Sequence, residues 1–293
     1  MGSTLAECAP KFTAMFIDEH HDMLSCPPDR EVSWKRLARW ASDQEMPLYL
    51  LSATAPPTLQ QRLLGPYGMK PENTAFIRSP TNRQEIGLHT ISMQGERGLR
   101  NLVHSLATRL KERERMLIFF NSCQEAERFS AQNRCPVFHS KLPEAHRSKE
   151  LNMRLWENGT SKMMACTSAF GAGVDKPHVR FVVIHLPKYS LMSLLQAAGR
   201  AGRDGAESHV FFTTTGTSGS SSASRCAEAD LRWQLDQLLH SDKCKVYQAM
   251  EYMDGKDMAR ECGQIPNQVH CDVCLPDGEV HRFAQRAARD NGA

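Results

Sequence analysis

No apolar run in these 293 residues approaches the length that a bilayer-spanning helix needs. The first 20 residues also lack the basic-then-apolar layout of a secretory signal. Net charge is slight, because 36 Lys and Arg stand against 33 Asp and Glu, leaving +3. That excludes a protein cationic all over, so any polyanion site must be a local patch. Ten cysteines without a secretory signal read as reduced thiols and metal ligands, not disulfides, and the expected compartment is intracellular. The length is enough for two domains, each able to bury a core.

One stretch organises the rest: Gln196-Ala197-Ala198-Gly199-Arg200-Ala201-Gly202-Arg203-Asp204-Gly205. Continued as a helix, it puts Gln196, Arg200 and Arg203 at i, i+4 and i+7, so that one face carries a glutamine and two guanidiniums. Such a pair suits a polyanion, above all the charge that develops on a phosphate in transfer. Three glycines weaken a helix interior, which implies that packing holds the turn and that another backbone comes close.

Upstream, Phe12–Ile17 is a short apolar run that delivers Asp18-Glu19-His20-His21 at its carboxyl end. This is the layout of a Walker B site, where an aspartate holds Mg²⁺ and a neighbouring glutamate orients the attacking water. A second run, Pro47 to Leu51, leads into Ser52-Ala53-Thr54, and a third strand is expected near Phe76. Trp34 and Trp40 read as helix packing residues. From Glu96, the residues Leu99, Leu102, Val103, Leu106 and Leu110 make one apolar helical stripe.

From Arg115 on, short apolar strands alternate with helical stretches. Strands are predicted at Met116–Phe120, Pro136–Phe138, Lys162–Cys166, Phe181–Ile184 and Val210–Phe212, and a helix at Pro143 to Glu157. That alternation argues for an α/β parallel, doubly wound sheet with ligands at the carboxyl ends of the strands. His139 and Lys141 follow the second strand and Thr167-Ser168 the third. Residues 216–225 are Ser/Thr/Gly-rich and read as a linker. Beyond them Cys271-x-x-Cys274 is a knuckle that Cys244 and Cys262 complete as a four-thiolate tetrahedral Zn²⁺ set, with His270 a less favoured substitute ligand.

The block from Gln196 to Gly205 resembles the last motif of superfamily-two helicases in its RecQ form, with Ala197 where a glutamate is usual. Asp18-Glu19-His20-His21 and Ser52-Ala53-Thr54 resemble two further motifs of that family in the expected order. The run Thr167 to Pro177 is similar to its fifth motif, and the Phe76–Ile86 stretch looks like the crossing between helicase lobes. The long interval from Cys262 to Cys271 gives a looser similarity to the telomere-linked RecQ-like helicases of fungi. The resemblance implies an ATP-dependent 3′-to-5′ DNA helicase working in the nucleus. Asp18, Glu19, Gln196, Arg200 and Arg203 would be catalytic, and Gly171, Gly173 and Asp175 would face ATP with Mg²⁺. Ser52, Thr54, His139, Lys141, Thr167 and Ser168 would meet DNA, single-stranded or forked.

The family's Gly-x-x-x-x-Gly-Lys-Ser/Thr loop is missing: only 17 residues precede Asp18, and Gly255-Lys256 is followed by Asp257. Residues 1–80 therefore read as a partial first RecA-like lobe and 81–215 as the second, the helicase carboxyl-terminal domain. The linker 216–225 and a helical zinc-binding subdomain at 226–293 follow. The chain reads as a fragment for which a partner chain would supply the missing half, or, in the alternative, as a non-catalytic nucleic-acid-binding module derived from such a helicase. Behind the linker, the zinc segment is expected to fold independently of the sheet.

Overall fold

The computed structural model describes residues 13–24, 28–43, 47–142, 148–171, 175–188, 190–215 and 228–289. They fall into two compact units. One holds the residues up to Thr81 together with Met250–Ala259, and the other holds Asn82–Ala249 and Arg260 onward.

In the first unit, β1 (Met15–Ile17) and β2 (Leu48–Leu50) pair in parallel, with α1 (Pro28–Ser42) between them in sequence and α2 (Gln60–Leu64) after them. Alternation along each strand sends Ile17 into a small core with Ala38, Ala41 and Tyr67, and Trp34 and Trp40 pack against that core as helix residues. The same alternation turns Phe16 and Tyr49 outward. Their rings stack at 4.6 Å, and they remain 64% and 48% exposed. The strand expected near Phe76 is absent. Residues 74–83 are irregular and Ile77 is fully exposed, because no neighbouring strand completes the backbone hydrogen bonds there.

The second unit is a six-stranded, all-parallel sheet in the order β3-β8-β7-β4-β6-β5. Its strands are β3 (Ile86–Ser92), β4 (Arg115–Phe119), β5 (Val137–Phe138), β6 (Met163–Cys166), β7 (Val179–His185) and β8 (Ser208–Thr214). Five of these lie at the expected runs. β3 was not expected, because its sequence, Ile-Gly-Leu-His-Thr-Ile-Ser, carries a glycine and a histidine that hide a buried strand. The helices are α3 (Gly95–Arg109), α4 (Cys123–Asn133), α5 (Ser148–Glu157), α6 (Leu191–Ala198), α7 (Glu228–His240), α8 (Lys245–Asp254), whose residues from Met250 on are counted with the first unit, and α9 (Glu279–Arg289). The α3 stripe Leu99, Leu102, Val103 and Leu106 is buried against β3, β4 and β7 side chains, as its 3.6-residue period requires. Residues 143–147 and 216–225 lie outside the described residues, so the start of the Pro143 helix and the linker are not characterised.

Candidate nucleotide, nucleic-acid and metal sites

In the first unit, Asp18 and Glu19 follow β1 and are exposed. Glu19 takes φ 49°, which turns the chain sharply at the strand end, and its N–H donates to Asp18 Oδ1 at 2.9 Å. Both histidines after them are buried. His20 Nδ1 meets the Leu51 carbonyl at 3.0 Å, and His21 Nδ1 lies 2.7 Å from Ser52 Oγ. Ser52 Oγ also accepts from the Thr54 N–H at 2.9 Å, and Thr54 is buried. Asp18-Glu19 and Ser52-Thr54 are thus joined through His20 and His21. Sequence reading passed over that role, although two adjacent histidines after an acidic pair were its signal.

In the second unit, His139, Lys141, Thr167 and Ser168 follow the carboxyl ends of β5 and β6, whereas the Gln196–Gly205 stretch reaches the amino end of β7, where the Gly202 N–H donates to the Val179 carbonyl at 2.9 Å. Thr167 ends β6: its N–H donates to the Phe138 carbonyl at 3.2 Å and its own carbonyl accepts from Phe170 at 3.0 Å. Ser168 opens a 3-10 turn, Ser168–Gly171, and is exposed, whereas Thr167 is buried. Phe170 anchors that turn, edge-on to Phe119, Phe138 and Trp156. Gly173 lies outside the described residues. Lys141 is exposed, but His139 is only 1% exposed and sits with Nε2 2.9 Å from Glu127 Oε1, so it faces inward.

The Gln196–Gly205 block departs from its expected geometry. α6 stops at Ala198, capped by Gly199, so Arg200 and Arg203 do not share a helical face with Gln196. They stand on the two turns that follow. Gly202 sits at φ 61°, and a Cβ there would lie 3.0 Å from Ser208 Oγ and from Glu85 Cγ and 3.1 Å from the Ala206 carbonyl. Only glycine meets both demands, and a helix cannot run through the position. Arg83 fastens the turn, donating from Nη2 to the Gly202 carbonyl at 2.9 Å. Asp204 fastens it from the other side, paired with Arg180 and 3.1 Å from His178 Nδ1. Burial opposes ionisation of Asp204, but the Arg180 guanidinium outweighs it and holds the carboxyl below its usual value.

This turn brings Arg203 to Asp175. Arg203 Nη1 donates to Asp175 Oδ1 at 2.8 Å, and that bond, with Arg200 adding to the field, lowers the Asp175 carboxyl. Neighbouring Lys176 pairs with Glu157 at 2.6 Å. Two stretches about 25 residues apart in sequence, both expected to face nucleotide, therefore meet through an ion pair. The arrangement offers guanidiniums paired to a carboxylate before the amino end of β7, and hydroxyls at the carboxyl end of β6.

The four cysteines converge. The Sγ atoms of Cys244, Cys262, Cys271 and Cys274 all lie within 4.8 Å of one another, and His270 is not among them. Tetrahedral Zn–S bonds of roughly 2.3 Å require sulfurs about 3.8 Å apart. Cys244 and Cys262 are 3.6 Å apart, and Cys244 and Cys271 3.9 Å. Backbone N–H groups of Tyr247 and Cys271 point at the Cys244 and Cys262 sulfurs, as they do toward thiolates. Thiol hydrogen bonds from Cys244 and Cys262 hold Cys271 well below the ordinary thiol value, while burial pushes Cys274 up to about 12. The donor set and its spacing fit zinc.

The cysteine segment is bound to the sheet, against the expected independence. β3 is an edge strand, and Val269 N–H donates to the Gln84 carbonyl at 2.8 Å and Asp272 N–H to the Leu88 carbonyl at 3.2 Å. After the last cysteine, α9 sends Ala284 and Ala288 into the main core. Shared core, not the linker composition, decides whether two segments fold together.

Residues 98–205 match the family described as the helicase conserved C-terminal domain. The ATP-dependent DNA helicase hus2/rqh1 of Schizosaccharomyces pombe is 28% identical over 203 residues, 67% of this chain and 15% of its own length. The ATP-dependent DNA helicase Q-like 2 of Arabidopsis thaliana is 24% identical over 291 residues, 95% of this chain and 40% of its own. The chain thus spans well under half the length of these curated relatives. Among solved structures, Dbp5 of S. cerevisiae bound to RNA and ADP BeF3 aligns with TM-score 0.61 at 16% identity, over 98% of this chain and 68% of that one. That likeness establishes the fold, an α/β chain with RecA-like helicase lobes. Among the described residues no helix is long and apolar enough to cross a membrane.

Proposed function

We propose that this chain is the Walker-A-less portion of an ATP-dependent 3′-to-5′ DNA helicase of the RecQ-like group of superfamily two. The observation that carries the reading is the Arg203–Asp175 pair inside the helicase carboxyl-terminal domain. On a bound nucleotide, Arg203 would leave Asp175 for the phosphate charge that builds up during transfer, and Arg200 and Gln196 would add to its binding. Asp18 would hold Mg²⁺ and Glu19 would orient water. Gly171 and Gly173 would face the nucleotide, and Ser52, Thr54, Lys141, Thr167 and Ser168 would follow a single-stranded or forked DNA backbone. His139 would join them only after leaving its buried place beside Glu127. Zn²⁺ would sit on Cys244, Cys262, Cys271 and Cys274. A partner chain would supply the phosphate loop, and the place of work would be the nucleus, where DNA recombination and repair occur.

A second reading keeps the nucleic-acid contacts and leaves out the catalysis. In that reading the chain is a non-catalytic nucleic-acid-binding module of the same ancestry. One experiment separates the two. DNA-stimulated ATP hydrolysis is measured for the chain alone, for Arg203→Ala, and for the chain mixed with a loop-bearing first lobe of a relative. The helicase reading expects no turnover alone and turnover in the mixture that Arg203→Ala abolishes. Nucleic-acid binding with no turnover in any mixture selects the module. Absence of nucleic-acid binding overturns both.

A further inference from the structure

α3 and α9 lie side by side and antiparallel. Arg109 near the end of α3 pairs with Glu279 at the start of α9 at 2.5 Å, and Gly98 near the start of α3 lets the Ala288 carbonyl come within 2.9 Å of where a Cβ would stand. The buried face of α9 is His281, Ala284, Ala287 and Ala288, which fixes the helix rigidly on the sheet unit. Its outer face is Arg282, Arg286 and Arg289, at i, i+4 and i+7, all exposed. α3 adds Arg97 and Arg100, also exposed.

Charge is concentrated here. The two helices carry six arginines and two glutamates, a larger positive excess than the +3 of the entire chain. Both glutamates are already engaged, Glu279 with Arg109 and Glu96 with Arg128 of α4. Complementing the helix dipole would account for Arg286 and Arg289 in the last turn of α9. It does not account for Arg282, nor for Arg97 and Arg100 in the first turns of α3, where a cation is disfavoured.

We propose that the α3–α9 face is a second nucleic-acid surface, which grips the phosphate backbone of double-stranded DNA without reading its sequence. This rests on the nucleic-acid reading above and adds a place separate from the strand ends that carry Lys141, Thr167 and Ser168. The duplex is favoured over a single strand by what the face lacks. Single strands are held by aromatic platforms for unstacked bases, and among the described residues no exposed large apolar side chain lies on α3 or α9. A row of guanidiniums spanning about 10 Å on a rigid helix suits evenly spaced phosphates instead.

The test compares the wild-type chain with Arg282→Gln/Arg286→Gln/Arg289→Gln, and with Arg97→Gln/Arg100→Gln in case the first variant folds poorly. Binding is measured to a blunt 20-base-pair duplex and to a single-stranded 20-mer at several salt concentrations, with zinc content and melting temperature as folding controls. Each lost phosphate contact lowers the salt slope by about 0.9, so the triple variant should lose about 2 to 3 from its duplex slope and at least tenfold in duplex affinity at low salt. Single-strand binding should change less than threefold. Unchanged duplex affinity and slope in both variants overturn the proposal and leave the strand-end reading intact. Equal loss on duplex, single strand and polyglutamate shows unspecific charge attraction and also overturns it. Single-strand binding lost in a Lys141→Ala/Ser168→Ala control, with duplex binding kept, confirms that the two surfaces are distinct.

Discussion

The Thr90 N–H on β3 donates to Asp272 Oδ2 at 2.7 Å, and Asp272 stands between Cys271 and Cys274, two of the four converging cysteines. The other oxygen of Asp272 lies 3.7 Å from the buried Lys245 ammonium, which follows a third such cysteine and donates to the Leu238 carbonyl at 2.8 Å. The edge of the sheet is therefore built partly from the cysteine segment, so a metal held by these cysteines would be coupled to sheet stability.

Cys271→Ser should accordingly do more than lower the zinc content from one towards zero. Zinc binding in comparable small sites contributes on the order of 10 kcal/mol of folding free energy at neutral pH. Hydrogen exchange read at the amides of β3 should accelerate together with exchange in residues 260–275. Fast exchange confined to 260–275, with β3 unchanged, would show that the bonds from Val269 and Asp272 do not carry the coupling.

Phe170 has no chemistry of its own, yet it sets the turn that presents Ser168. Its ring is enclosed by Phe119, Phe138 and Trp156, and truncation to alanine leaves a void among three aromatics. Phe170→Ala should cost about 3–5 kcal/mol in denaturant unfolding. It should also weaken single-strand binding, whereas Phe170→Leu should restore most of the stability. A loss below about 1 kcal/mol would mean that the turn is held from elsewhere.

His185 gives the unit a pH dependence of known sign. Burial lowers its pKa from 6.5 to about 4, the neutral ring resting 3.1 Å from Thr213 Oγ1. Between those values the unfolded chain binds a proton that the folded one does not, so stability falls as pH drops from about 6.5 to 4. The span corresponds to roughly 3 kcal/mol. Denaturant midpoints of wild type and His185→Gln, followed from pH 7.5 to 4.5, should converge on acidification. Subtracting the two curves cancels any loss of zinc. Parallel curves would assign the acid sensitivity to other groups.

Limited proteolysis should separate the two units. The first has a two-stranded parallel sheet with the Phe16–Tyr49 stack uncovered, although parallel sheets are ordinarily covered on both faces. Residues 13–80 should be cut, or associate, under conditions in which 94–215 survives. Equal survival of both would show that the exposed face is protected in solution.

The sequence by itself determined the α/β class, five of the six strands of the sheet, the α3 stripe and all four cysteines, because periodicity and ligand spacing are local quantities. It also marked the Gln196–Gly205 block by its composition. Tertiary structure alone decided what that block does with its arginines. The helix ends at Ala198, and a left-handed Gly202, enforced by Glu85, Ser208 and Ala206, turns the chain so that Arg203 meets Asp175. It alone brought β3 into the sheet despite an unpromising strand sequence, since β-propensity yields to burial between neighbours. It turned His139 inward, and it joined the cysteine segment to the sheet edge. Each of these depends on which backbones become neighbours across the fold, and no local pattern of residues encodes that.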